Sequence, residues 1–223
     1  MNPSKLILPV SLLTAAAAES EHCTAKPKKD ARPNVIVILA DDLGFSDIGC
    51  YGGEIHTPNL DRLAANGLRF NNFYNTSRSC PTRASLLTGL YQHQAGIGRM
   101  TFDDHLPGYR GTLSKNAVTI AEALRGSGYH TGMVGKWHIA ETPLRPDQRE
   151  WLAYHVYHEE FADKINYPTR RGFEDFYGTI YGVVNYFDPF SLVDGEEPVR
   201  EVPEGYYITD DLSQKAVSYV NKY

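Results

Sequence analysis

The sequence predicts an α/β protein with a mostly parallel central sheet flanked by helices, and three observations carry that expectation. Asn34 to Ala40, NVIVILA, is a continuous apolar run rich in β-branched residues and bounded by charge, the pattern of a strand buried on both faces of a parallel sheet. Hydrophobic periodicities then follow in the order strand, helix, strand, helix, helix, strand, which is how such α/β chains read. The residues best suited to chemistry fall just after predicted strands, where folds of this class place their sites.

MNPSKLILPVSLLTAAAAES combines Lys5, an apolar run from Leu6 to Ala18 and small residues at Ala16 and Ala18, so residues 1–18 read as an export signal. A membrane anchor is the competing reading, but Pro9 breaks the run, which is shorter than the ~20 residues a span needs. Ser20-Glu21-His22 is too polar to precede a lipid-bearing Cys23. Residues 19–33 are read as a linker, charged and proline-containing towards Arg32-Pro33, and the fold is expected to begin at Asn34. A periplasmic or secreted location follows, with the export machinery as a partner.

Thr57-Pro58-Asn59 opens a helix, with Thr57 as N-cap, Pro58 in the first turn, Leu60, Leu63 and Ala64 at helical spacing, and Asn66-Gly67 as the stop. Leu68 to Tyr74, LRFNNFY, alternates as a strand does. Val118 to Leu124 is helical in pattern and closes at Gly126 and Gly128, and Tyr129 to Val134 reads as the next strand. From Glu141 to about Pro203 the pattern weakens into an irregular insertion with an aromatic-rich stretch between Phe173 and Phe190. A last helix is expected from Thr209 to Tyr223, capped by Thr209 or Asp210, with Leu212, Ala216, Val217 and Val220 on one stripe.

The totals exclude some functions. A chain of 223 residues holds one domain or a little more on a prior of roughly 150 residues per domain. A formal net charge of -5 leaves no broad basic footprint, which argues against nucleic acid as the main partner. An anionic substrate would need local positive charge. Cys23, Cys50 and Cys80 are too few for a disulfide framework.

Three clusters carry chemistry. Asp41-Asp42-Leu43-Gly44 places two carboxylates at a strand end, a costly arrangement unless a cation joins them, and a hard divalent ion such as Ca²⁺ or Mg²⁺ would. An exposed acidic turn is the plain alternative. Gly135-Lys136-Trp137-His138 offers a point charge for an anion and a group that titrates near neutrality, projecting to a common side if the chain stays extended. A surface lysine beside a packed tryptophan is its plain alternative. Between them, SRSCPTRASLLTG places Ser79, Cys80, Pro81 and Arg83 before a helical leucine segment. His56, His93, His105, His155 and His158, like Cys50, are assigned no role beyond packing or exposure.

Taken together, Asp41-Asp42, then Ser79-Cys80-Pro81-Thr82-Arg83 with Leu87-Thr88-Gly89, then Gly135-Lys136-Trp137-His138, resemble the N-terminal catalytic region of the formylglycine-dependent sulfatases of the alkaline-phosphatase-like superfamily. The resemblance runs from about Arg32 to His138, and more loosely through Arg171-Gly172-Phe173 to the last helix. That family's signature is cysteine or serine, any residue, proline or alanine, any residue, arginine. Four positions before Arg83 stands Ser79, so Cys80 takes the variable position.

The resemblance implies that Ser79 is oxidised to formylglycine (3-oxoalanine) by a radical-SAM maturation enzyme. It implies that Asp41, Asp42 and modified Ser79 ligate Ca²⁺, in preference to Mg²⁺. It further implies that Arg83 holds the hydrated aldehyde, that Lys136 binds sulfate, and that His138 contacts the hydrate as a base. Pro81 and Thr82 are expected to serve the turn and the maturation enzyme. The implied substrate is a sulfated sugar or an aryl sulfate.

Departures from the family pattern limit the expectation. After His138 nothing matches the family's second pair of metal ligands, its further histidine or its further lysine, so residues 34–223 are expected to be an incomplete N-terminal part of a catalytic domain with little or no activity alone. Three other readings stay open: a phosphate or phosphonate ester hydrolase of the same superfamily using an unmodified hydroxyl, a noncatalytic remnant, and a glycan-binding protein.

Overall fold

The computed structural model describes residues 32–141 and 161–223. The expected export signal and all but the last residues of the expected linker lie outside them. The chain divides into two compact units, Met1–Ala40 and Asp41–Tyr223.

In the first unit, residues 34–40 form no strand, and Ile36 and Ile38 are 66% and 76% exposed. The expectation of a buried strand therefore fails among the described residues. Composition gives a strand its propensity, but burial on both faces needs neighbours on both edges, and residues 34–40 make no ladder pairing there. The strand expected at Leu68 to Tyr74 fails in the same way, with Leu68 87% exposed and no ladder.

The second unit follows the expected helices more closely. Helix α1 (Pro58–Ala65) starts on Pro58, which fits a first turn that needs no N–H. Thr57 does not cap it through its side chain; its Oγ1 instead accepts from Gly49 N and donates to Asp61 Oδ1. Helix α2 (Ser79–Thr88) ends on left-handed Gly89. Helix α3 (Ile120–Gly126) opens on a capping box, with Glu122 N donating to Thr119 Oγ1 and Thr119 N to Glu122 Oε2. Helix α4 (Ile208–Lys222) begins one residue before the expected start, after Tyr207, and neither Thr209 nor Asp210 caps it.

Strands β1 (Gly132–Val134), β2 (Asp175–Thr179), β3 (Leu192–Asp194) and β4 (Glu197–Pro198) form a sheet in that order. β1 runs parallel to β2, with Gly132 opposite Asp175 and Val134 opposite Tyr177. β2–β3 and β3–β4 are antiparallel, so among the described residues the sheet is mixed and its parallel pairing is the β1–β2 pair. Helix α4 lies against β1 and β2, and its end is fastened by Tyr223, whose hydroxyl donates to Asp175 Oδ2 at 2.6 Å while its ring stacks on His130.

Trp137, Tyr167, Phe176, Ile97 and Val193 are fully buried in one core, and the Trp137 indole N–H donates to Asn166 O at 2.8 Å. Arg171 is 7% exposed and crosses this core's edge. Its guanidinium donates to the carbonyls of Leu113, Ser114 and Ala117 and to Glu122 Oε1, while its own carbonyl accepts from Thr119 Oγ1. One side chain thus ties the loop before α3 to the approach of β2. Gly172, at φ +94°, lets the backbone pass Glu122 N where a Cβ would sit 2.3 Å away.

Replacing Arg171 by methionine leaves several buried carbonyls without a donor and should cost about 3 kcal/mol, read as a lowered urea midpoint. Arg171→Lys should recover little of it, because an ammonium cannot reach carbonyls on both sides of the fork.

Candidate active site

Ser79 opens α2. Arg78 before it is extended, and Ser77 holds a left-handed φ of +58° with its N–H donating to Asn75 Oδ1 at 2.6 Å. Thr82, one turn into the helix, binds back to the loop: its Oγ1 accepts from Thr76 N and meets Thr76 Oγ1 at 3.0 Å. Pro81 lies in the first turn, where a missing N–H leaves no helical bond unmade. Ser79 thus stands in the first turn of a helix whose entry loop is held by these bonds.

One turn on, Arg83 is 7% exposed and joins three parts of the chain. Its Nε donates to Ser79 Oγ at 3.1 Å, Nη1 to the Lys136 carbonyl at 2.5 Å and Nη2 to Asp41 Oδ1 at 3.3 Å. Asp41 Oδ2 in turn accepts from Lys136 Nζ at 2.5 Å. His138 Nδ1 lies 3.1 Å from Ser79 Oγ.

The segment after β1 stays on β2's edge. Gly135 N, Trp137 N and His138 N donate to the carbonyls of Tyr177, Thr179 and Ile180. Trp137 points into the core, and the side chains on either side of it reach the site. The chain does not stay extended there: His138 adopts φ +56°, a strained value for a non-glycine residue and one that structures retain at functional positions. Gly182 packs on the imidazole, where a Cβ would lie 2.0–2.2 Å from its ring atoms. Nothing in the sequence marks Gly182, because its role is set by a contact 44 positions away.

Electrostatics separate the roles. Burial pushes His138 down to about 4, helped by the Lys136 and Arg83 charges, so the imidazole is neutral near pH 7. Burial alone would raise the Asp41 carboxyl, but the Lys136 ammonium and the Arg83 guanidinium outweigh it and hold the group below the usual carboxylate range. Two cations against one carboxylate leave the cluster positive, which suits an anion. Cys80 is fully buried, its Sγ 3.8 Å from Met100 Sδ, and burial pushes its thiol up to about 11. The better nucleophile by type is thus withdrawn into the core, and the serine faces the charges.

Of the six site residues read from the sequence, Asp41, Ser79, Arg83, Lys136 and His138 come together. Asp42, at φ +52°, makes no side-chain hydrogen bond or ion pair to them among the described residues. The oxygens of Asp41 and Ser79 are hard donors of the kind calcium takes, yet its shell needs about 6–8 of them. Among the described residues no three His, Cys, Asp or Glu side chains gather as a metal site. Asp41 is neutralised by Lys136 and Arg83 instead, so these residues amount to part of a calcium shell.

Alkylation of the native chain with iodoacetamide at pH 8 should leave Cys80 unlabelled and label it only after denaturation, as read by peptide mass. Labelling of Cys80 at the rate of a free thiol would contradict the burial described.

The sulfatase family profile matches residues 33–222. An arylsulfatase of Klebsiella aerogenes is 41% identical over 146 residues, which are 64% of this chain and 30% of that protein. The N-acetylglucosamine-6-O-sulfatase of Bacteroides thetaiotaomicron is 32% identical over 223 residues, 98% of this chain and 32% of that protein. The solved structure of BT4656 in complex with its substrate D-glucosamine-2-N,6-O-disulfate matches with a TM-score of 0.60 and 28% identity, over 86% of this chain and 32% of that one. The chain spans about a quarter to a third of the length of the curated relatives it matches. With the profile covering nearly all of the region beyond the expected leader, this chain belongs to the sulfatase family.

Proposed function

We propose that this chain provides the nucleophile side of a site that hydrolyses sulfate esters of sugars or aryl alcohols in an exported protein. The observation that carries the reading is the convergence of Arg83 Nε and His138 Nδ1 on Ser79 Oγ inside a positively charged cluster. The Ser79 hydroxyl stands here for the oxygen of a formylglycine that a maturation enzyme of the radical-SAM class would make from it. Held as its hydrate, that group would supply one hydroxyl to attack sulfur and a second whose deprotonation expels sulfate. Oxygens of Asp41, Asp42 and residue 79 would hold calcium as part of its shell, and the ion would lower the pKa of an oxygen bound to it.

The chain's own residues supply the rest. Arg83 fixes the oxygen on residue 79 by a bond from Nε and offsets negative charge growing there. His138, neutral and aimed through Nδ1, accepts a proton from that oxygen. Lys136, hinged on Asp41, presents its ammonium to the sulfate oxygens. Gly182 keeps the imidazole in place. The relatives support the substrate class, since one is named a sulfatase of N-acetylglucosamine and another structure holds a sulfated glucosamine as substrate.

The test is co-expression with a formylglycine-generating radical-SAM enzyme, followed by the mass of the peptide containing residue 79 and by turnover of 4-nitrophenyl sulfate. The expected peptide is lighter by two hydrogens, and Lys136→Ala should lower any sulfate release by about 10²–10³-fold without changing that mass. A peptide that keeps the serine mass in a chain that hydrolyses 4-nitrophenyl phosphate would overturn the reading in favour of the phosphate-ester alternative.

A further inference from the structure

The insertion after β2 builds a second feature that the chemistry at Ser79 does not use. Tyr186, Phe187 and Tyr207 are 60%, 66% and 41% exposed, unlike the tyrosines and phenylalanines of the core. The Tyr207 ring stands 6.1 Å from that of Tyr186 and 5.6 Å from that of Phe187, tilted by 37° and 34°. Ile208 N donates to the Tyr186 carbonyl at 2.9 Å, which ties the two segments together. Phe187 N donates to Asn185 Oδ1, and the Tyr206 hydroxyl to Asp211 Oδ2 at 2.7 Å, so the backbone presenting these rings is fixed from both sides.

Beside the rings lies a cavity of about 550 Å³ lined among others by Phe187, Asp188, Arg200, Glu201, Glu204 and Tyr206. Three carboxylates and one guanidinium make its wall negative, opposite in sign to the Ser79 cluster. The two are connected through the chain: Gly182 touches the His138 ring, and Phe187 follows five residues later, a reach of at most about 18 Å.

We propose that Tyr186, Phe187 and Tyr207, with the acidic cavity beside them, form a carbohydrate subsite for an uncharged sugar residue next to the sulfated one. Aromatic faces pack against the apolar C–H face of a pyranose at little entropic cost, carboxylates accept from its hydroxyls, and Arg200 donates to them. The negative wall repels a second sulfate, so the subsite selects glycans sulfated at one ring and neutral at the next. The part of this inference that concerns a sulfated neighbour rests on the function proposed above; the binding of a neutral sugar does not.

Isothermal titration of the full chain with three uncharged hexasaccharides, cellohexaose, chitohexaose and agarohexaose, tests it. At least one should bind with a Kd on the order of 1 mM or tighter. The double variant Tyr186→Ala/Tyr207→Ala, checked for folding by circular dichroism, should weaken it by about tenfold or more. Tyr207→Trp, which keeps an aromatic face, should retain binding, and Ser79→Ala should leave it unchanged. The two readings therefore fail separately: glycan binding by a chain that keeps the serine mass and hydrolyses 4-nitrophenyl phosphate overturns the sulfatase reading alone, and a converted serine with no glycan binding overturns the subsite alone. Binding of none of the three sugars, or binding indifferent to the double variant, would each overturn the subsite.

Discussion

A guanidinium taken out of water is tolerable only if its donors meet acceptors, and that requirement at Arg83 organises the site. Its Nε, Nη1 and Nη2 find Ser79 on its own helix, the Lys136 carbonyl beyond β1, and Asp41. Each acceptor brings a further group: Ser79 brings His138, and Asp41 brings the Lys136 ammonium. The geometry of the candidate site is thus a by-product of satisfying one buried cation. It also explains the serine–cysteine order, since turning α2 so that Arg83 reaches these partners directs Ser79 to the charges and Cys80 to the core.

The candidate site was legible in the sequence because chemistry restricts residue types more tightly than packing does. A carboxylate, a serine four residues before an arginine, and a lysine and histidine flanking a tryptophan could be read without knowing the sheet. The sheet itself was harder to read. β2 is buried along Phe176 to Thr179 and shows no alternation, and β3 and β4 are two or three residues long, below the length at which periodicity registers. Residues 34–40 have the composition of a buried strand, yet a strand is completed by neighbours that composition does not encode. Gly182 shows the same limit at the site, since a bare glycine gives no sign that an imidazole rests on it.

Charge separates the candidate site from the proposed subsite. The Ser79 cluster carries excess positive charge in a chain of net charge -5, whereas the wall beside Tyr186 and Tyr207 is acidic. A substrate that is anionic at one end and neutral at the other would complement both. On the proposed reading, affinity for sulfate rests on the cluster around partly buried Ser79 and discrimination among glycans on exposed aromatic rings, which can change in evolution without disturbing Arg83.

The central claim, that Arg83 and Ser79 form an anion-receiving unit, is tested most directly by the Arg83 Nε–H resonance in a sulfate titration of the ¹⁵N-labelled chain at constant ionic strength. The account predicts a resonance that shifts saturably with sulfate and not with chloride, and that loses this response in Lys136→Ala. An Nε–H signal that exchanges freely with water, or that responds equally to both anions, would contradict it.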